Sequence, residues 1–223
     1  MEPGPAADPA PSWAPVWRRN ATLIALEGPD GAGKTTAGLR LVDELRAAGH
    51  AVTWHPNRSL RPVRRALEEL AAEEGHPDRF AMLGRDHAQL ISAVAKWREL
   101  LDLREDLARH REVVVVDRYK YAHIALTRTY GTTNEGLVRE LYAVLPDADV
   151  VYYFDVDPAV AAERVRRRGV DTNATDFLAG FARAYRELPE FARFTVLRAA
   201  DPPKQVFAQL WADISGRLAA VRP

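Results

Sequence analysis

The stretch "TLIALEGPDGAGKTT", residues 22–36, decides the fold. It opens as a short apolar run, reads through Glu27 into glycine, and continues into a segment where Leu41, Val42 and Leu45 recur at helical spacing. The reading is a buried strand, a glycine-rich loop and a helix in immediate succession. Gly28, then Gly33, Lys34 and Thr35 after four intervening residues, match the phosphate-loop pattern in full. Gly28, Gly31, Ala32, Gly33, Lys34, Thr35 and Thr36 are the expected cradle for a donor nucleotide such as ATP. The glycines let backbone N–H groups turn inward around phosphate oxygens, and the helix N-terminus adds positive potential. Lys34 can reach the β- and γ-phosphates, and the Thr35 hydroxyl can ligate Mg²⁺. A chance glycine loop would not carry both the pattern and its strand–helix context.

Outward from this stretch, strands and helices alternate. "HAVTW" is a second strand, and "EVVVVD", residues 112–117, is a third, apolar throughout as in a parallel strand covered on both faces. "DVVYYFD" and "FTVLR" complete five. Between them helices are predicted from about Leu60 to Glu74, over 78–110 as one helix or two, and around Leu137–Leu145. Another starts at Asp157-Pro158, an N-cap followed by a first-turn proline. Two more are predicted near 176–190 and through Val206, Phe207, Leu210, Trp211, Ile214 and Leu218. The pattern implies an α/β fold of three layers, a central five-stranded parallel sheet flanked by helices. Ligands of such sheets bind at the C-terminal ends of the strands. Three candidate positions lie there: the loop after Leu26, Asp117, and Asp155 with the turn behind it. Residues 1–20, rich in Pro and Ala, read as a flexible arm that Trp13 and Trp17 could dock, and 21–223 as one domain.

Composition narrows the partners. The 223 residues are 47% hydrophobic, enough for a sizeable core. Lys+Arg and Asp+Glu are both 31, and this balance argues against nucleic acid as the partner. The chain has no cysteine, which removes disulfides and thiolate chemistry and fits a reducing cytoplasm. No apolar run is long enough to span a membrane, and no secretory signal is visible.

Asp117 is the acidic partner that a phosphate loop requires, orienting Mg²⁺ opposite Thr35. Its plain structural alternative is a strand-terminal cap for the next helix. "ERVRRRG" holds Arg164, Arg166, Arg167 and Arg168. Arginines at a helix C-terminus offset the macrodipole. Four in five residues exceed that need, and a lid over about 164–175 could use one or two of them as an arginine finger in cis.

With these pieces placed, the chain resembles the thymidylate kinase family of nucleoside monophosphate kinases. "LIALEGPDGAGKTT", "HPNRS", "VVVVDRY" and "PDADVVYYFDVDPAVAAERVRRRG" carry the resemblance over residues 22 to 200. It implies a P-loop kinase fold, with ATP as donor, Mg²⁺ as cofactor, dTMP as default acceptor and a homodimer as the assembly. Arg58 and Arg118 would hold the acceptor phosphate. Asp30 would touch the sugar 3′-hydroxyl and help position the metal, and Tyr119 would pack beside the sugar. Position 31 is Gly, so the loop lacks the arginine some members carry, and catalytic charge is expected from Arg166 and Arg168. Arg164 and Arg167 would face ATP.

The base-reading segments depart from the family pattern. "GRDHAQ" places Arg85 and Asp86 in swapped order, and Met82 stands where a base-stacking phenylalanine is expected. Ala122, followed by His123, replaces a serine; Leu126 and Thr127 replace an aromatic–Gln pair; Trp54-His55 replaces Arg-Glu. Arg85, His55 and His123 are the candidates for base contacts, though a lone histidine near a pocket is more often structural. Two other readings stand beside the monophosphate kinase. One is a nucleoside kinase, against which Arg58 argues. The other is a nucleotide-dependent switch or partner-binding ATPase, against which a third strand ending in Asp-Arg-Tyr argues.

Overall fold

In the computed structural model, which describes residues 14–58, 61–109, 112–168 and 175–220, five parallel strands form one sheet in the order β2-β3-β1-β4-β5. They are β1 (Thr22–Glu27), β2 (Ala51–His55), β3 (Glu112–Asp117), β4 (Val150–Asp155) and β5 (Thr195–Arg198). The helices are α1 (Lys34–Ala47), α2 (Arg61–Glu73), α3 (Arg79–Leu100), α4 (Leu103–Leu107) and α5 (Lys120–Tyr130). The chain continues through α6 (Glu135–Ala143), α7 (Pro158–Arg168), α8 (Thr175–Arg186) and α9 (Pro203–Ala220), with a 3₁₀ turn at Pro189–Arg193.

The apolar strands are buried because side chains alternate between two helix-covered faces. Leu23, Ala25, Val114 and Val116 join Tyr119, Tyr142 and Phe181 on one side. Ile24, Leu26, Val113 and Val115 join Leu41, Val42 and Leu45 of α1 on the other. β1 lies between β3 and β4, with Leu26 opposite Asp117. The chain order reverses here, so the loops after β1 and β3 open a crevice side by side.

Asp157 caps α7 as expected, its Oδ1 accepting from Ala159 N at 2.8 Å. Of the expected 78–110 stretch, residue 110 lies outside the described residues; the rest holds α3, with an internal kink at Gly84 (φ 75°), and then the short α4. Helix α5 is not foreseen by the sequence pattern: its polar and apolar residues follow no clean stripe, because Tyr121, Ala122, His123 and Thr127 are all buried. Residues at the end of the expected arm are fastened. Arg19 reaches Asp149 Oδ2 at 2.6 Å, Asn20 Nδ2 donates to Ala108 O at 2.7 Å, and Trp17 packs on the core. Trp13 lies outside the described residues, as do 169–174 of the expected lid.

Candidate active site

A cleft of about 330 Å³ opens at the C-terminal ends of β1, β2 and β3. Its lining carries Lys34, Arg58, Arg64, Arg79, Lys96, Arg118 and Arg168 against Asp30 and Asp117. A neutral chain has therefore concentrated cations in one crevice, which suits a strongly anionic ligand.

The loop after β1 forms one wall. Gly28 (φ 133°) lies so close to β4 that a Cβ there would stand 2.8 Å from Phe154 O. Gly31 (φ 81°) is tighter, since a Cβ would collide with the Ala161 carbonyl of α7. A side chain at position 31 would therefore meet α7, onto which the loop's back is pressed. Gly33 (φ 90°) starts α1 in the left-handed region and directs its first N–H groups to the cleft. Lys34 is buried and donates to Pro29 O at 2.7 Å, so it folds back on its own loop. Burial brings its pKa down to about 8.

Thr35 Oγ1 donates to Asp117 Oδ2 at 2.5 Å. Asp117 does not cap α5, whose N-cap is Tyr119 with no side-chain bond. The hydroxyl and carboxylate offer the oxygen donors that a hard divalent cation takes, so the pair fits Mg²⁺. The next residue, Arg118, adopts φ 66°, uncommon for a residue with a side chain. That turn points the guanidinium into the cleft, where it meets Asp30 Oδ1 at 2.7 Å. The charge of Arg118 drives the Asp30 pKa down, against burial, which raises it. Burial works against the charge on Arg118, yet Asp30, Tyr185, Asp117 and Glu27 raise its pKa further. Beneath them the fully buried Glu27 accepts from Tyr119 N at 3.0 Å and Tyr185 Oη at 2.7 Å.

The opposite wall comes from α3 and α5. Gln89, Ser92 and Lys96 share one face of α3 toward the cleft. Gln89 Nε2 donates to His123 O at 3.2 Å. Burial, then Lys96 and Arg118, brings the His123 pKa down to about 3, so its ring is neutral. Its Nδ1 is buried with no hydrogen-bond partner among the described residues. At the mouth, Phe80, Tyr130 and Phe177 form a chain of rings with centroids 5.3 and 5.5 Å apart.

Asp30, Gly31, Gly33, Lys34, Thr35, Thr36, Arg58, Asp117, Arg118, His123 and Arg168 thus come together around one space. Other expected residues do not line it. Tyr119 is buried in the core, its hydroxyl donating to Pro146 O at 2.7 Å, so it faces away from any sugar. Arg85 donates to Tyr130 O at 3.3 Å from the outside, because the Gly84 kink turns it off the cleft face. Met82 does not line the cleft either; Phe80, two residues earlier, does. His55, the last residue of β2, is held by Asp106 at 2.8 Å and does not line the cleft. Asp155 pairs with Arg186. Arg166 and Arg167 pair with Glu163 on the outer face of α7. Arg164 donates to Gly31 O at 3.4 Å and Ala199 O at 3.2 Å, tying α7 to the back of the loop.

Sequence reasoning missed Lys96, Gln89, Arg64, Arg79, Phe80, Tyr130 and Phe177. For two of them a signal was present. Ala88, Gln89, Ala93, Lys96 and Leu100 make the buried stripe of α3, and polar residues on an otherwise apolar stripe mark a site rather than a core.

The thymidylate kinase sequence profile matches residues 26–210. This chain belongs to the thymidylate kinase family. A thymidylate kinase of Deinococcus radiodurans is 33% identical over 87% of this chain and 97% of its own length. One from Geobacillus thermodenitrificans is 28% identical over 89% and 92%. A probable thymidylate kinase of Archaeoglobus fulgidus is 32% identical over 66% and 70%. As a member of this family the chain is a phosphotransferase, a nucleoside monophosphate kinase of the thymidylate kinase kind. Among the described residues, no helix is long and apolar enough to cross a membrane.

Proposed function

We propose that this family member uses ATP and Mg²⁺ to phosphorylate dTMP, giving dTDP and ADP. One observation carries the reading: the phosphate loop with Lys34, the pair Arg58 and Arg118, and the bonded pair Thr35 and Asp117 all line one cleft. That is the layout needed to bring two anionic phosphates in line for transfer. Lys34 and the N–H groups of the loop hold the donor phosphates. Arg58 and Arg118 hold the acceptor phosphate, whose oxygen attacks the γ-phosphorus while the β–γ bridging oxygen leaves on ADP. Mg²⁺, held by Thr35 and Asp117, would neutralise charge on the donor phosphates. No residue needs to act as general base, because the acceptor oxygen is already ionised. Asp30 keeps Arg118 in register and is the group nearest to hand for a sugar 3′-hydroxyl. Arg168, the lid arginine that lines the cleft, supplies transition-state charge.

A second reading concerns the base. Ala122 offers no hydroxyl and Arg85 faces outward, while a neutral His123 and the amide of Gln89 line the wall. These features support a modified or different base as the acceptor. A coupled ADP-release assay over dTMP, dUMP, dCMP, dAMP and dGMP tests both readings. Turnover highest with dTMP is expected; turnover with another base replaces it; no turnover with any monophosphate overturns the reading. The protein is read as cytoplasmic and homodimeric, supported by the absence of cysteine and by exposed Val63 and Leu70 on α2 and Val94 on α3. Light scattering on the eluting peak at assay concentration tests the dimer.

A further inference from the structure

Lys96 is the least expected group in the cleft. It lies on the buried stripe of α3, only 2% exposed, yet it lines the cleft. An ammonium group withdrawn from water to this degree is costly unless its three N–H donors find partners. Two are accounted for. Glu99 Oε1 lies at 2.9 Å, and Asn57 Oδ1 at 3.4 Å, a long contact. The third has no acceptor among the described residues. A lysine whose purpose was only a pair with Glu99 could sit on the solvent face of α3, as Arg98 does with Asp102.

Its surroundings say what the remaining donor faces. Lys96 and Arg118 both act electrostatically on His123, and Glu27 and Asp117 both act on Lys96. Lys96 and Arg118 line the same cleft, together with His123 and Asp117. Asn57 adjoins Arg58, so Lys96 also braces the loop that carries that arginine. Arg58 itself is exposed and Arg118 is engaged by Asp30. The cleft thus holds a buried, fixed cation with a donor to spare.

We propose that Lys96 is a third cation for the acceptor's phosphate, contacting it alongside Arg58 and Arg118. The proposal rests on the monophosphate kinase reading above. A compact ammonium suits this position, because two arginines already provide planar forks and the third contact needs only a point charge.

The test compares dTMP with thymidine, which lacks the phosphate, by calorimetric titration of the full chain, beside steady-state kinetics. In Lys96→Met, dTMP affinity should drop by about 10- to 100-fold, the range for a charge-assisted hydrogen bond. Thymidine affinity and the KM for ATP should stay at parental values, and the KM for dTMP should rise more than kcat falls. Lys96→Arg should recover part of the loss. If Lys96→Met fails to fold, the double variant Lys96→Met/Glu99→Leu removes the unpaired carboxylate as well, and the same comparison applies. Parental dTMP affinity in the folded variant, or equal losses for dTMP and thymidine, overturns the proposal. A parent protein that neither binds nor phosphorylates dTMP or another monophosphate overturns the functional reading instead.

Discussion

Arg118 Nη2 donates to Asp30 Oδ1 across 2.7 Å, joining the residue after β3 to the loop after β1. The contact exists because Leu26 and Asp117 are register partners, and Arg118 N donates to Leu26 O at 2.9 Å. The backbone then turns into the left-handed region, which an arginine accepts at a cost of roughly 1–2 kcal/mol. A strained turn that aims a cation into the cleft is expected to matter for rate. Arg118→Ala should lower kcat/KM for the monophosphate by about 10³-fold, as loss of a preorganised charge does. Asp30→Asn keeps a hydrogen bond but loses the charge pair, and should cost less. Initial rates at saturating ATP check both; parental rates in both variants would refute the assignment.

Gly31 and Gly49 share nearly the same backbone angle, φ 81° and φ 85°, but not the same surroundings. A side chain at 49 meets nothing within 4 Å, whereas one at 31 strikes the Ala161 carbonyl. Gly49→Ala should therefore cost only conformational strain, about 1 kcal/mol. Gly31→Ala should add overpacking of about 1–3 kcal/mol on top. It should also weaken ATP binding, because loop and α7 must separate. Urea unfolding and nucleotide titration check the contrast. Equal destabilisation by the two substitutions would show that the loop is not pressed against α7.

Lys34 should make ATP binding sensitive to alkaline pH. Burial lowers its pKa to about 8 from the ordinary 10.5, so the free protein loses this charge as pH rises through 8. Donor phosphates favour the charged form, so binding above pH 8 must take up a proton. ATP affinity should fall as pH rises from about 7 to about 9. The linkage also bears on the fold. Between about 8 and 10.5 the unfolded chain holds the Lys34 proton that the folded chain has released. Lys34 therefore contributes a rise in stability with pH over that window. Titration calorimetry in buffers of differing ionisation enthalpy reads the proton uptake directly. Uptake that is absent at about pH 8.5 would remove Lys34 from the donor site.

The parts of the site that obey backbone rules were legible in the sequence. The phosphate loop, the strand ending in Asp117 and the cap at Asp157 each tie a residue type to a local conformation. What was not legible depended on how helices face one another. Arg85 looked like a base contact because of its neighbours in the chain, yet Gly84 breaks α3 and rotates it away. Tyr119 sits beside Arg118 in sequence, but one residue along an extended turn reverses the direction of the side chain, and it enters the core. Lys96 and Phe80 reach the cleft only through the packing of α3 against α5, which no local pattern specifies. The arginines divide for the same reason. Of the four arginines on α7, only Arg168, at its end, lines the cleft, while Glu163 takes Arg166 and Arg167 on the outer face.

His123 is buried opposite the phosphate loop, with Nδ1 unpartnered among the described residues and Tyr142 set edge-on at 6.2 Å. Burial first, then the charges of Lys96 and Arg118, lowers its pKa to about 3. It should remain neutral across the working range and bind a base through one donor and one acceptor rather than through charge. The chain has six histidines. In a proton NMR titration from about pH 8 to about 5.5, the His123 ring signals should stay fixed, with His123→Leu identifying them by their loss. The sign of the linkage is set by that lowered pKa. Between about 3 and 6.5 the unfolded chain binds a proton at this residue that the folded chain refuses, so His123 lowers stability as the medium becomes acidic. The melting temperature of His123→Leu should therefore fall less than that of the parent between about pH 7 and about pH 5. The substitution should also change the ratio of kcat/KM values among monophosphates differing only in base, while the KM for ATP holds. A His123 signal that titrates near the ordinary 6.5 would mean that the ring is hydrated and not part of a dry base pocket.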